Sequence, residues 1–158
     1  MGRRSDCPIN FAVEVLGDRW SLMILRDIVF WGKRTYGAFL GSDESIATNI
    51  LASRLRHLEE EGLIERSADE HDRRKDRYDL TENGIALIPT LVELTCWSAR
   101  NERWRALAKG GTEAQHRFVA SVMNVRAKAR LIKQVEAAAR RGGHYFEGVA
   151  PNRNPRRK

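Results

Sequence analysis

The stretch from Ile46 to Gly62 leaves this chain few ways to fold. Ile46, Ile50, Leu51, Leu55 and Leu58 recur at steps of three and four, which gathers them on one stripe of a helix from about Ile46 to Glu61. The opposite face then presents Thr48, Asn49, Ala52, Ser53 and Arg56, with Arg54 at its flank. Gly62 stops the helix. Leu63 to Ser67 alternates as a strand does, Asp69 to Arg77 is a charged connection, and Tyr78-Asp79-Leu80 returns, so a β-hairpin follows. On the other side, Thr35 can cap a short helix through Leu40, and residues 41–45 join it to the longer one. Two helices joined by a turn, the second with an outer face of small, hydrogen-bonding and cationic residues, is an arrangement that sets side chains against base edges.

The flanking segments read as helices. Residues 8–16 form a short one, and the Gly17-Asp18 break caps another over residues 19–30, apolar nearly all round and so central to the core. Thr81 opens a helix that passes Ile85, Leu91, Val92 and Trp97, with Pro89 expected to kink it. Its apolar residues cover more than one side, so one side packs on the core and the other on a second subunit. Thr112 to Gln115 matches a capping box for a helix running to about Arg141, roughly 45 Å long. Along it Phe118, Val122, Val125, Ala129 and Ile132 form a coiled-coil-like seam. The tail 148–158, rich in Pro, Asn and Arg, reads as disordered.

Charge is divided unevenly. Residues 1–100 hold 14 Lys and Arg against 17 Asp and Glu, a net of −3, while residues 101–158 hold 14 against 4, a net of +10. The overall +7 therefore points to a polyanionic partner through the C-terminal third. No apolar run approaches the roughly 20 residues of a membrane span, and the N-terminus lacks the apolar core of a signal peptide, which reads as a cytoplasmic protein without a membrane partner. Cys7 and Cys96 are too few for a disulfide scaffold or thiolate zinc site, and His57, His71, His116 and His144 are not at metal-ligand spacing. With no phosphate-binding glycine loop and no nucleophile elbow, no enzyme, metal or cofactor is expected.

Four segments in order carry a family resemblance: Cys7-Pro8-Ile9; Leu16-Gly17-Asp18-Arg19-Trp20-Ser21 through Arg26; Ile46 through Ile64; and Tyr78-Asp79-Leu80-Thr81-Glu82-Asn83-Gly84. Over about residues 7–100 the chain resembles the HxlR family of winged helix-turn-helix regulators, of the MarR-like superfamily. The resemblance implies a mainly α fold with a small β-hairpin wing, to which this chain adds a C-terminal helical extension. It implies a homodimer built from the first and last helices of that domain, with a recognition helix in each of two major grooves of double-stranded DNA. Carried over by position, the recognition residues are Thr48, Asn49, Ser53, Arg54 and Arg56, and the wing residues Arg73, Arg74, Lys75 and Arg77. Lys33, Arg34, Thr35 and Tyr36 fall where phosphate contacts are expected. The domains read as an arm (1–6), a DNA-binding and dimerisation domain (7–100), a basic helical extension (101–147) and a basic tail (148–158). The function read from this is a transcription regulator, a repressor on a palindromic operator; the alternative is a nonspecific architectural protein using the basic C-terminal third.

Several residues carry two readings. Arg54 and Arg56 can contact DNA or pair with Glu59 or Glu60 at helical spacing. The wing tip, with four acidic and four basic side chains, is either a phosphate contact or a solvated turn. Cys7 is either a redox sensor, its thiolate favoured by Arg3 and Arg4, or a cysteine in the dimer seam. Cys96 reads as a small core residue. Trp20, Trp31, Trp97 and Trp104 line an aromatic pocket for a small-molecule effector or simply fill the core. Arg126, Lys128, Arg130, Lys133, Arg140 and Arg141 lie on a helix that serves dimerisation or presents cations to DNA, with Arg156-Arg157-Lys158 as a nonspecific phosphate contact.

Overall fold

A computed structural model describes residues 6–69, 72–107 and 112–146. In chain order these form α1 (Pro8–Leu16), α2 (Ser21–Trp31), α3 (Tyr36–Leu40), α4 (Thr48–Glu60), β1 (Ile64–Ala68), β2 (Asp76–Leu80), α5 (Glu82–Ile85), α6 (Ile88–Arg100), α7 (Glu102–Leu107), α8 (Glu113–Met123) and α9 (Val125–Arg140). The chain divides into two compact units, one running through Gly84 without Val29–Gly32, the other joining Val29–Gly32 to the residues from Ile85 onward. Arg3, Arg4 and the tail 148–158 lie outside the described residues.

In the first unit each boundary has a local cause. Pro8 starts α1, where its missing N–H is no loss. The Asp18 carboxylate accepts the amides of Trp20 at 2.7 Å and Ser21 at 3.0 Å, capping α2. Thr35 caps α3 by accepting the Ala38 amide at 3.3 Å. Gly62, at φ +66, ends α4, with its own amide on the Glu59 carbonyl and that of Leu63 on the Leu58 carbonyl, a Schellman arrangement. Leu51, Leu55 and Leu58 of α4 are buried with Ile24, Leu25, Phe39, Leu63, Ile64 and Tyr78. Ile50, expected in that stripe, is 38% exposed, because successive helical residues turn by about 100° and Leu51 takes the inward position. The hairpin is antiparallel, with Ile64 opposite Leu80 and Ala68 opposite Asp76. An isolated bridge sets Thr35 beside Arg77.

In the second unit α8 and α9 pack on each other and on α6. The core takes Leu91, Val92 and Cys96 from α6, Phe118 and Val122 from α8, and Leu131 and Val135 from α9. Pro89 does not kink a long helix; it stands in the first turn of α6, separate from the short α5, where it removes no helical hydrogen bond. The continuous 45 Å helix is also corrected. Asn124 is extended (φ −99, ψ 122), ends α8, and caps α9 by accepting the Ala127 amide at 3.0 Å. The chain can therefore fold α9 back on α8. The expected seam is split by that joint: Phe118 and Val122 are buried, but Val125 is 78% exposed and Ala129 exposed.

Past α9, the Tyr145 and Phe146 amides donate to the Val29 and Phe30 carbonyls at 3.2 and 3.0 Å. They satisfy acceptors that the end of α2 leaves without intrahelical partners. Phe146 meets Trp31, Tyr145 and Phe118 at ring separations of 4.6, 5.0 and 5.6 Å. Truncating it empties this cluster. Phe146→Ala is expected to lower stability by about 3 kcal/mol, seen in urea unfolding as a lower midpoint at unchanged slope; a loss under about 1 kcal/mol would contradict this packing.

Candidate nucleic-acid interface

On α4 the side opposite Leu51, Leu55 and Leu58 is exposed, and Asn49, Ser53 and Arg56 stand on it at spacings of four and three. Glu60 continues the same row at the far end. Thr48 is exposed in the first turn, and Ala47, the cap residue, places no side chain over the first-turn amides. Arg54 lies on the flank and reaches Asp18 at 3.5 Å, while Glu59 lies 3.7 Å from Arg66. The pairing weighed for Arg54 thus goes to Asp18, the cap of α2. The Tyr36 hydroxyl donates to the Thr48 carbonyl at 2.7 Å, tying the start of α3 to the start of α4.

Behind this pair lies a cluster of charges that the sequence reading did not identify. Asp27 is 2% exposed. One of its oxygens accepts from Arg26 Nε and Nη2 at 2.9 and 2.6 Å, the other from Lys33 Nζ at 2.8 Å and Ser42 Oγ at 2.5 Å. Arg26 also grips Glu44 with both terminal nitrogens, at 2.5 and 3.0 Å. Glu44 and Ser42 belong to the α3–α4 connection, which turns through Ser45 at φ +54. The cluster therefore fixes that connection to α2. Its signal in the sequence is Arg26-Asp27 interrupting an otherwise apolar helix.

Two residues placed by position among the phosphate contacts turn inward. Lys33 donates to Asp27 and Ser42. Arg34, 7% exposed, donates from Nη1 to the Ile28 carbonyl at 2.9 Å, and its Nε lies 3.0 Å from Asp79. Burial pulls the Arg34 guanidinium below its ordinary value, against the pull of Asp79. Arg77 also grips Asp79, at 2.6 and 3.0 Å. At the hairpin tip Arg73, Arg74 and Lys75 are exposed. Asp72 accepts from Arg74 at 3.0 Å and pairs with Lys75 at 3.2 Å, and those bonds hold its carboxyl down to about 2. Thr35 is occupied as a cap.

The remaining candidates disperse. Cys7 is exposed just before α1, and Cys96 is buried in α6. Trp20 borders a water-sized void of about 10 Å³ in the first unit. In the second unit Trp31 packs on Phe146, and Trp97, 69% exposed, borders an open hollow of about 400 Å³ with Thr90, Glu93, Leu94, Cys96 and Arg100.

Two helices joined by a pinned turn, followed by an antiparallel hairpin, define a winged helix-turn-helix protein. Residues 15–105 match the HxlR-like helix-turn-helix family, and the chain belongs to it. Its relatives include HTH-type transcriptional regulators of Mycobacterium tuberculosis, 41% identical over 89 residues (56% of this chain, 55% of the relative), and of Synechocystis, 34% over 88 residues (56% and 64%). The chain spans between about half and two thirds of the length of these two curated relatives. Among solved structures it is similar to PA1607, described as a candidate transcription factor (38% identity, TM-score 0.56, 61% of this chain and 66% of that one). It is also similar to the redox regulator HypR in its oxidised form (30% identity, TM-score 0.54, 61% and 98%).

The Arg26 hydrogen bonds hold the Glu44 carboxyl below its ordinary 4.5, against a smaller opposing effect of burial. A carboxyl depressed in the folded state contributes stability above its unfolded value, and that contribution is lost as pH falls through the folded one. The stability difference between wild type and Glu44→Gln is therefore expected to shrink from about pH 6 to about pH 3. Urea midpoints of the two proteins check this, and a difference independent of pH would contradict the pairing.

Proposed function

We propose that this protein is a sequence-specific DNA-binding transcription regulator, a repressor that acts as a homodimer on a palindromic operator. The observation that carries the reading is the exposed row of Asn49, Ser53 and Arg56 on a helix whose opposite side is core. Asn pairs in two places with adenine and Arg with guanine in the major groove, and Ser donates to either. Thr48 and the uncapped amides of the first turn suit a phosphate at the groove edge. Arg54 stands beside them, held by Asp18. Arg73, Arg74 and Lys75 serve as wing contacts to phosphate, which position the protein without reading sequence, and Arg77, held by Asp79, steadies the base of the hairpin behind them. Lys33 and Arg34 act one step back, by holding the turn and hairpin that carry the contacts; Thr35 and Tyr36 fix the start of α3.

The homodimer reading is supported by apolar side chains left in solvent in both units. Ile9, Phe11 and Val13 of α1 are 73, 46 and 59% exposed, and Leu94 and Trp97 of α6 are also open. Such faces lower their free energy by burial against a second copy.

Asn49→Ala or Arg56→Ala is expected to weaken operator binding by about 1–3 kcal/mol and to relax preference at particular base pairs. Arg74→Ala is expected to weaken unrelated duplexes to the same extent as the operator. Fluorescence anisotropy against a panel of single-base operator variants reads both effects. Unchanged base preference in Asn49→Ala would refute the placement of the reading face.

A redox input is the second part of the reading, favoured by the exposed position of Cys7 and by the similarity to a redox regulator. Treatment with hydrogen peroxide is expected to change operator affinity of the wild type and of Cys96→Ser, but not of Cys7→Ser. A peroxide response that survives in Cys7→Ser would remove Cys7 from this role.

A further inference from the structure

We propose that the exposed face of α9 is a second phosphate-binding surface, which takes the sugar-phosphate backbone of duplex DNA in addition to the phosphates met by the winged unit; this rests on the DNA-binding reading above. Arg126, Arg130, Lys133, Arg140 and Arg141 are all exposed. At 100° per residue they fall within an arc of about 100°, directly opposite the buried Leu131 and Val135. Ala137 lies inside that arc and no carboxylate does. Glu136, the one acidic residue of α9, sits at its edge, 3.9 Å from Arg140. None of the ion pairs among the described residues engages Arg126, Arg130 or Lys133. Lys128, on the inner side, is instead paired with Glu93 at 2.5 Å, so the cation that faces the protein is neutralised while Arg126, Arg130 and Lys133 face solvent outside those ion pairs.

From Arg126 to Arg141 the row runs about 22 Å, which spans roughly six phosphates at the 3.4 Å axial rise of one strand. The occupant follows from what the face lacks. A helix lying in a membrane surface needs a free apolar side, and Leu131 and Val135 are already buried in the unit. A single-strand surface needs aromatic rings on which bases stack, and α9 has none. A row of cations without rings, with Glu136 its one acid at the edge and only the short Val125 and Ala129 exposed beside it, suits a regular line of phosphates better than a lipid surface. The charge division of the chain agrees: the first hundred residues carry a net of −3, so the long-range attraction to DNA must come from the C-terminal third, at +10.

The test uses the full chain and its Arg126→Gln/Arg130→Gln/Lys133→Gln variant, titrated by fluorescence anisotropy against a selected operator duplex and a scrambled duplex across a salt series. The logarithm of affinity against that of salt is expected to lose about 0.9 of slope per removed contact, roughly 2.7 per bound chain, while discrimination between the two duplexes is retained. An unchanged slope overturns the proposal. So does an equal loss in Arg117→Gln, which removes an exposed cation of α8 paired with Glu113, because the effect would then be one of net charge. Loss of discrimination in the triple variant also overturns it, since the face would be reading bases. Far-UV circular dichroism and the urea midpoint confirm folding, and the Arg126→Gln/Arg130→Gln pair gives an independent slope, expected to fall by about 1.8. Should the wild type itself fail to discriminate, the reading of α4 fails while the slope comparison still reports on α9.

Discussion

The Asp27 carboxylate is the point on which the presentation of α4 depends. It is buried, and it survives burial because Arg26, Lys33 and Ser42 supply donors to both of its oxygens. Those donors come from α2, from the residues that lead into α3, and from the α3–α4 connection, so one charge cluster sets three segments at once. Glu44 extends it through Arg26. An apolar contact at the same place would permit sliding; paired charges with fixed donor directions do not. Removing one partner would leave a buried charge uncompensated, which typically costs about 3–5 kcal/mol.

The same logic recurs at the hairpin. Arg34 and Arg77 share Asp79, and the Tyr78 amide donates to the Arg34 carbonyl at 2.7 Å, so β2, the strand that returns from the hairpin tip, is fastened to the residues just before α3. Basic residues in a DNA-binding fold thus divide by geometry. Those at the base of the hairpin and behind the turn are consumed by carboxylates; at the tip Arg74 and Lys75 share Asp72 while staying exposed, and on the outer row of α4 Arg56 keeps its charge toward solvent.

Much of this was legible in the sequence where local rules decide. The Thr35 and Asp18 caps, the Gly62 stop and the alternating strands fix their elements with short-range interactions, and the inward stripe of α4 follows from its period. Two elements were misread because a competing local rule won. Asn124 can continue a helix or cap a new one, and the apolar residues of α9 favour folding back on α8 and α6 over extending a seam. Pro89 can kink a helix or begin one, and it begins α6. The roles of Lys33 and Arg34 were hidden for a different reason: a position-by-position carry-over places a residue but not the direction of its side chain, which is set by carboxylates 6 and 45 positions away at Asp27 and Asp79. The interruption of α2 by Arg26-Asp27 was the visible trace of that partnership.

On the proposed function, the outer row of α4 reads base sequence from a symmetric pair of copies. Selection of bound sequences from a random duplex pool with the purified full chain, at about 150 mM salt so that nonspecific phosphate binding is suppressed, tests it most directly. Enrichment of an inverted repeat whose half-sites lie about one helical turn apart is the expected result. A pool that binds without enrichment would contradict it, and would leave a protein held to DNA by charge alone.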